Sequence, residues 1–161
     1  MFETDTNTER LFPYRSIRQF ITASPAEIYA VRPGDTVLSA LKMLANNHLG
    51  LVVVLDGEHL VGVMSERDYA RKVVLAGRRS EETTVGEIMS RDVVTTDLDA
   101  KFGDCMNLMN KHHIRHLPVL DGGRIVRVIS IMDVLREAVA HHEKVIMELE
   151  RERMTIFNSA C

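Results

Sequence analysis

The spacing of apolar residues along the chain switches between strand-like alternation and helical periodicity in an order that runs through twice. In the first pass a short strand is predicted over Ile28–Val31, then a turn rich in Pro, Gly and Asp, then a helix whose Val37, Leu41, Leu44 and His48 share one face. The apolar run Leu49–Leu55 reads as a buried strand, joined through an Asp56-Gly57 turn to a second strand over Leu60–Met64 as a hairpin. A helix opens just beyond, at Ser65. The second pass predicts a strand over Val93–Thr96, then a helix with Phe102, Cys105, Met106, Met109 and His113 on its apolar face. A hairpin of Ile114–Leu120 and Ile125–Ile129 follows about Asp121-Gly122, with a helix beyond Ser130. Pro118 removes a ladder donor from its strand, so an edge position or an irregular pairing is expected there.

The two passes are a duplication. Ile28–Leu75 aligns on Val93–Ala140 without a gap at an offset of 65, and eleven positions are identical. The polar ones are His48/His113, the turn pair Asp56/Asp121, Ser65/Ser130, Asp68/Asp133 and Arg71/Arg136. A unit of this size buries too little apolar surface to stand alone. The two are therefore expected to pack sheet against sheet as one pseudo-two-fold α/β (α+β) body of tandem β-α-β-β-α repeats.

The rest of the chain is placed around that body. Residues 1–15 read as a flexible N-terminus, 16–76 as the first unit, 77–84 as a mixed-charge linker, 85–140 as the second unit and 141–161 as a C-terminal helical extension. Ser16–Ile21 and Val85–Met89 look like short helices, each leading into its own unit. From Asp133 to Phe157 runs one long helical pattern in which Leu135, Val139, His142, Ile146, Leu149 and Ile156 recur at steps of four and three, with Arg153 interrupting. Such a stripe is a packing face, toward the same body or toward a second copy.

Composition narrows the classes without naming one. With 45% apolar and 27% charged residues the chain is an ordinary globular protein, and a net charge of −3 gives no pull toward nucleic acid or an anionic membrane. Apolar runs such as Leu49–Leu55 are far too short to span a bilayer, and the acidic, polar start is unlike a signal peptide, so a cytoplasmic location is expected. Cys105 falls at a core position of a helix and Cys161 at the end, which makes neither a disulfide framework nor a metal set. No metal site is expected from His112-His113 or His141-His142 either. Adjacent helical residues point about 100° apart, and no carboxylate or Cys completes the set.

Each hairpin closes in the same way, with Gly62-Val63-Met64-Ser65-Glu66-Arg67-Asp68 in the first unit and Arg127-Val128-Ile129-Ser130-Ile131-Met132-Asp133 in the second. The Ser is a natural N-cap, and the Asp falls at the third helical position, where its carboxylate complements the helix dipole. One such motif is usually only a capping box; two in register need a further account. Together with the second unit's run from His113 through Ile114, Arg115, His116, Leu117 and Pro118 to Gly122, they resemble a pair of cystathionine β-synthase (CBS) domains over about residues 16 to 140. This tandem is called a Bateman module. The resemblance implies a regulatory, non-catalytic module that binds adenosine-containing ligands in clefts between the repeats. AMP, ATP and NAD are the expected ligands, with S-adenosylmethionine less favoured. With no further domain in the chain, a stand-alone sensor that signals to an unidentified target protein is expected. CBS pairs commonly associate through helical faces, so a homodimer is expected as well.

The residue chemistry is consistent with that implication. A nucleoside monophosphate offers a flat base, a vicinal diol and a dianion. Ionised Asp68 and Asp133 can accept both ribose hydroxyls. The amides of the same helical turn, with the Ser65 or Ser130 hydroxyl, suit a phosphate. Arg67, Arg115 and His116 supply fixed or switchable positive charge, and the resemblance puts Arg115 and His116 at the paired basic positions that contact phosphate in related sensors. The base is expected near Thr95, Ile114 and Pro118. Arg127 stands where the family pattern has Gly, and its side chain either fills part of a cleft or reaches a phosphate. His48 and His113 end apolar helix faces and read as packed core.

The second unit carries Arg115, His116 and Pro118 where the first has Gly50, Leu51 and Val53, which ranks the cleft holding Ser130 and Asp133 as the tighter one. The competing reading is a ligand-free dimeric adaptor whose Ser65 and Asp68 are only caps and whose C-terminal helix makes the contacts. An enzyme is not expected, because the duplicated polar residues include no nucleophile with its base and no paired carboxylates.

Overall fold

A computed structural model describes residues 14–159, so most of the expected N-terminal tail, and Cys161, lie outside the described residues. The first unit contains β1 (Ala30–Val31), α2 (Val37–Asn46), β2 (Leu51–Asp56), β3 (His59–Ser65) and α3 (Glu66–Tyr69), preceded by α1 (Ile17–Ala23). The second contains β4 (Thr96–Asp97), α5 (Phe102–His112), β5 (His116–Asp121), β6 (Arg124–Ser130) and α6 (Ile131–Ser159), preceded by α4 (Val85–Ile88). Each unit has a three-stranded sheet, ordered β1-β2-β3 or β4-β5-β6, with the first pair parallel and the hairpin antiparallel. Strands β3 and β6 lie against one another, so the sheets meet at the pseudo-two-fold as expected.

The lead-in helices cross over. Ile17 and Arg18 N–H donate to the carbonyls of Ala100 and Leu98 in the second unit, while Val85 and Gly86 N–H donate to Asp35 and Pro33 in the first. Ile17 is fully buried in the core around Phe102, Leu117 and Ile129, and Val85 and Ile88 in the core around Val37, Val52 and Met64. Each core is thus completed by the lead-in of the other unit, which ties the two into one body. Val37, Leu44, Phe102, Cys105 and Met109 are buried as the helical spacing requires, and burial pushes the Cys105 thiol up to about 11.

Four local features depart from expectation. The strands over Ile28–Val31 and Val93–Thr96 shrink to two residues each, and β4 starts one position later than β1 does. Pro118 explains the shift. Its counterpart Val53 donates its N–H to Tyr29 O, and proline has no donor to give, so the parallel pairing in the second unit begins only at Thr96 and Val119. The proline lies in the middle strand, so of the two expectations for it the edge position fails and the irregular pairing holds. His48 and His113 are exposed, not packed: both sit just past a helix end at φ 53°, the left-handed conformation that reverses the chain there. Finally, α3 runs into a π-helical turn over Ala70–Val74 and stops, whereas α6 continues for 29 residues.

Candidate functional site

Two clefts open between the units, related by the pseudo-two-fold. The first has a volume of about 500 Å³, with Ser65, Arg67, Asp68, Arg71 and Lys72 on one side and Val93, Val94, Ile114, Arg115, His116 and Pro118 on the other. Pro118 and Val94 stand side by side on this wall, where proline has no ladder N–H to give. Gly50 is needed as well: a Cβ there would stand 2.8 Å from His116 Cε1, so the imidazole can lean across only because residue 50 has no side chain. His116 consequently faces both clefts. Burial pushes its imidazole below the ordinary value against the opposing pull of Asp133 and Glu66, which leaves the ring neutral at pH 7.

Asp68 is the most heavily bonded group in the first cleft. Its Oδ2 accepts from Ser65 N–H at 3.0 Å and Ser65 Oγ at 2.7 Å, and its Oδ1 accepts from Lys72 Nζ at 2.8 Å and Ser90 Oγ at 2.9 Å. Burial opposes its ionisation, but these bonds together outweigh burial and hold the carboxyl below the usual range. Lys72 also donates to Ile88 O at 2.6 Å, pinning the helix start to the crossed-over lead-in. Arg67 is exposed and reaches His113 O at 3.4 Å.

The second cleft is smaller, about 350 Å³, and holds Ser130 and Asp133 with Glu27, Tyr29, His48, His116 and Arg127. Asp133 Oδ2 accepts from Ser130 N–H at 2.8 Å and from Ser130 Oγ at 2.9 Å, but among the described residues its Oδ1 has only exposed Arg136 at 3.7 Å, so it keeps acceptor capacity that Asp68 has used. Arg127 is only 6% exposed, and its guanidinium lies 5.3 Å from the Phe20 ring centroid. Its Nη1 donates to Ser24 O, while its Nε is buried without a hydrogen-bond partner among the described residues. In the first unit the corresponding room belongs to Met89, whose Sδ would be 2.7 Å from a Cβ on Gly62. There the lead-in is fixed by a main-chain bridge between Val63 and Ser90; in the second half α1 runs longer than α4 and Arg127 makes the tie.

Seven of the ten predicted residues therefore converge: Ser65, Arg67, Asp68, Ile114, Arg115, His116 and Pro118 all line the first cleft. Ser130 and Asp133 line the second. Thr95 lines neither, its place being taken by Val93 and Val94. Two expectations are corrected. Arg115 of the second unit faces the Asp of the first, because each cleft takes its helix start from one unit and its wall from the other, while His116 borders both clefts, so the premise for ranking the Asp133 cleft higher survives for His116 alone. The helix-start amides are also largely used. Glu66 and Ile131 N–H donate to Gly50 and Arg115 carbonyls, Asp68 and Asp133 N–H to their Ser caps, and both Ser hydroxyls to the Asp carboxylates. A phosphate is left to the side-chain cations. Lys72, Arg71 and Ser90 were missed; Lys72 follows Asp68 by one helical turn, a signal that was available, whereas Ser90 enters only through the crossed lead-in.

Two β-α-β-β-α units with crossed lead-ins and ligand-sized clefts between them define a tandem α/β pair module. The family model for the CBS domain matches residues 17–75 and 85–140, and the chain belongs to the CBS domain family. It is 39% identical over 122 residues to the CBS domain-containing protein CBSX3, mitochondrial, of Arabidopsis thaliana, covering 73% of this chain and 58% of that protein's length. Among solved structures it resembles a protein with CBS domains from Burkholderia ambifaria MC40-6, with a TM-score of 0.75 and 41% identity over 78% of this chain and 95% of that one. The fold is also that of the CBS domain pair of protein MJ0100, solved with 5′-methylthioadenosine and S-adenosyl-L-methionine. That match has a TM-score of 0.66 and 24% identity over 77% of this chain and 95% of that one. A CBS pair is a regulatory module, and no helix among the described residues is long and apolar enough to cross a membrane.

Proposed function

We propose that the protein is a cytoplasmic regulatory sensor that binds an adenosine nucleotide, AMP, ATP or NAD, in the first cleft and signals as a homodimer to a partner protein. The observation that carries this reading is the convergence of Asp68 from one unit with Arg115, Ile114 and Pro118 from the other around a cavity of about 500 Å³, with Arg67 and Arg71 beside it. An acceptor-only carboxylate faces a diol, apolar edges face a base, and three guanidiniums face a phosphate. The ribose displaces Ser90 from Asp68, an exchange of one hydroxyl for another that costs little. That the MJ0100 pair holds adenosine derivatives supports the ligand class for this fold.

A thermal-shift panel of AMP, ADP, ATP, NAD and S-adenosylmethionine tests the reading. A ligand at 100 times its dissociation constant adds about 2.7 kcal/mol to stability, a clear rise in midpoint. No response to any of them contradicts it and leaves the ligand-free adaptor.

A further inference from the structure

The helix α6 outlasts the body it starts from. On one side Val134 and Val145 are buried, and Glu137 is held by Arg15, so that face rests on the globular part. Roughly a third of a turn round the helix, Met132, Leu135, Val139, Ile146 and Leu149 are all at least 50% exposed. Monomeric proteins rarely leave a continuous stripe of that length open. Written as a heptad, Met132, Val139, Ile146 and Arg153 take the a positions and Leu135, His142 and Leu149 the d positions, over about 33 Å of helix.

We infer that α6 pairs with α6 of a second copy of this chain as a parallel two-stranded coiled coil. The inference supplies the surface for the homodimer of the preceding section and does not depend on the nucleotide. Three features select the occupant. The seam repeats every seven residues with no break in phase, which is the geometry of knobs entering the holes of a like helix under a left-handed supercoil. Val139 and Ile146 at a with Leu135 and Leu149 at d is the combination that favours two parallel strands. The two polar seam residues also find acidic partners in that orientation. In a parallel pair an a side chain packs beside the residue that precedes a on the other helix, and a d side chain beside the one that follows d. Arg153 then meets Glu152, and His142 meets Glu143, of the second copy. An antiparallel pair over the same residues sets Arg153 against Leu135 and Arg136 of the second copy.

The test uses the full chain. Light scattering is expected to give twice 18.2 kDa for the native protein and 18.2 kDa for Ile146→Lys with Leu149→Lys, with unchanged circular dichroism because both side chains are exposed. In a Cys161→Ser background, oxidised Ile146→Cys is expected to run as a disulfide-linked dimer, while Val139→Cys mixed with Leu149→Cys does not cross-link. A native monomer overturns the homodimer and the coil together. A dimer that survives the double lysine substitution overturns the coil alone, and cross-linking confined to the 139/149 mixture overturns the parallel orientation.

Discussion

The two clefts share one set of capping residues and differ in nearly everything else that faces a ligand. Ser65/Asp68 and Ser130/Asp133 close the same capping geometry, with carboxylate-to-amide distances of 3.0 and 2.8 Å. Around them the first cleft gathers Arg67, Arg71, Lys72 and Arg115; at the equivalent positions stand Met132, Arg136, Glu137 and Gly50, of which only Gly50 lines the second cleft. Its one buried cation, Arg127, is turned to Ser24 and Phe20. Duplication has preserved what the helix start needs to form and released what lines the cavity. The first cleft therefore offers a phosphate three guanidiniums where the second offers only the shared His116 and an Arg127 engaged elsewhere, and that difference favours the first cleft despite the better-available acceptor of Asp133.

The largest expected effect on this comparison comes from Arg115. A charge-assisted bond to phosphate contributes about 1.5–3 kcal/mol, so Arg115→Ala should weaken AMP roughly ten- to a hundredfold in calorimetry, while Arg136→Ala, its guanidinium outside both clefts, should leave the isotherm unchanged.

The packing that distinguishes the clefts predicts effects of similar size on stability. Gly62→Ala places a Cβ 2.7 Å from Met89 Sδ and 3.0 Å from Ser90 O, and should cost about 1–3 kcal/mol in denaturant unfolding. Arg127→Ala empties the equivalent room and should cost roughly 2 kcal/mol or more, whereas Arg127→Met, which keeps the volume and drops an unpartnered buried N–H but loses the bond to Ser24 O, should cost less, about 1 kcal/mol. Equal losses from both Arg127 variants would show that the guanidinium, not its bulk, holds the lead-in.

Much of the fold was legible because the repeat supplied every element twice: the hairpins and capped helices stand within two residues of where the spacing put them, and the faces of α2 and α5 point to the core up to their final His. What escaped depended on contacts distant in sequence. The short lead-ins carry their capping boxes openly, at Ser16 with Gln19 and at Thr84 with Glu87, yet nothing local says that each crosses to the other unit. The same crossing brings Ser90 to Asp68. The pairing of clefts escaped for a related reason, since an alignment places Arg115 beside Asp133 in sequence and only the pseudo-two-fold places it beside Asp68. His48 and His113 misled because each falls at the end of an apolar helix face, when the duplicated constraint is a backbone conformation.

A smaller effect should come from His116. Its depressed pKa means that the fold favours the neutral ring, a contribution present above the unfolded value of about 6.5 and lost as pH falls below it. A bound phosphate favours the imidazolium instead, so binding takes up a proton and His116 should strengthen AMP binding as pH falls through 6.5 toward and past its depressed value. Because phosphate itself protonates near pH 6, the readout is the difference between the native protein and His116→Gln, expected to grow several-fold between about pH 7.5 and 5.5. No difference between them would place His116 outside the phosphate site.

The most direct measurement is calorimetric titration of AMP into the native protein, Asp68→Ala and Asp133→Ala. The first cleft as the nucleotide site predicts a roughly ten- to hundredfold loss of affinity for Asp68→Ala and little change for Asp133→Ala. A larger loss from Asp133→Ala, or equal losses from the two, would contradict it.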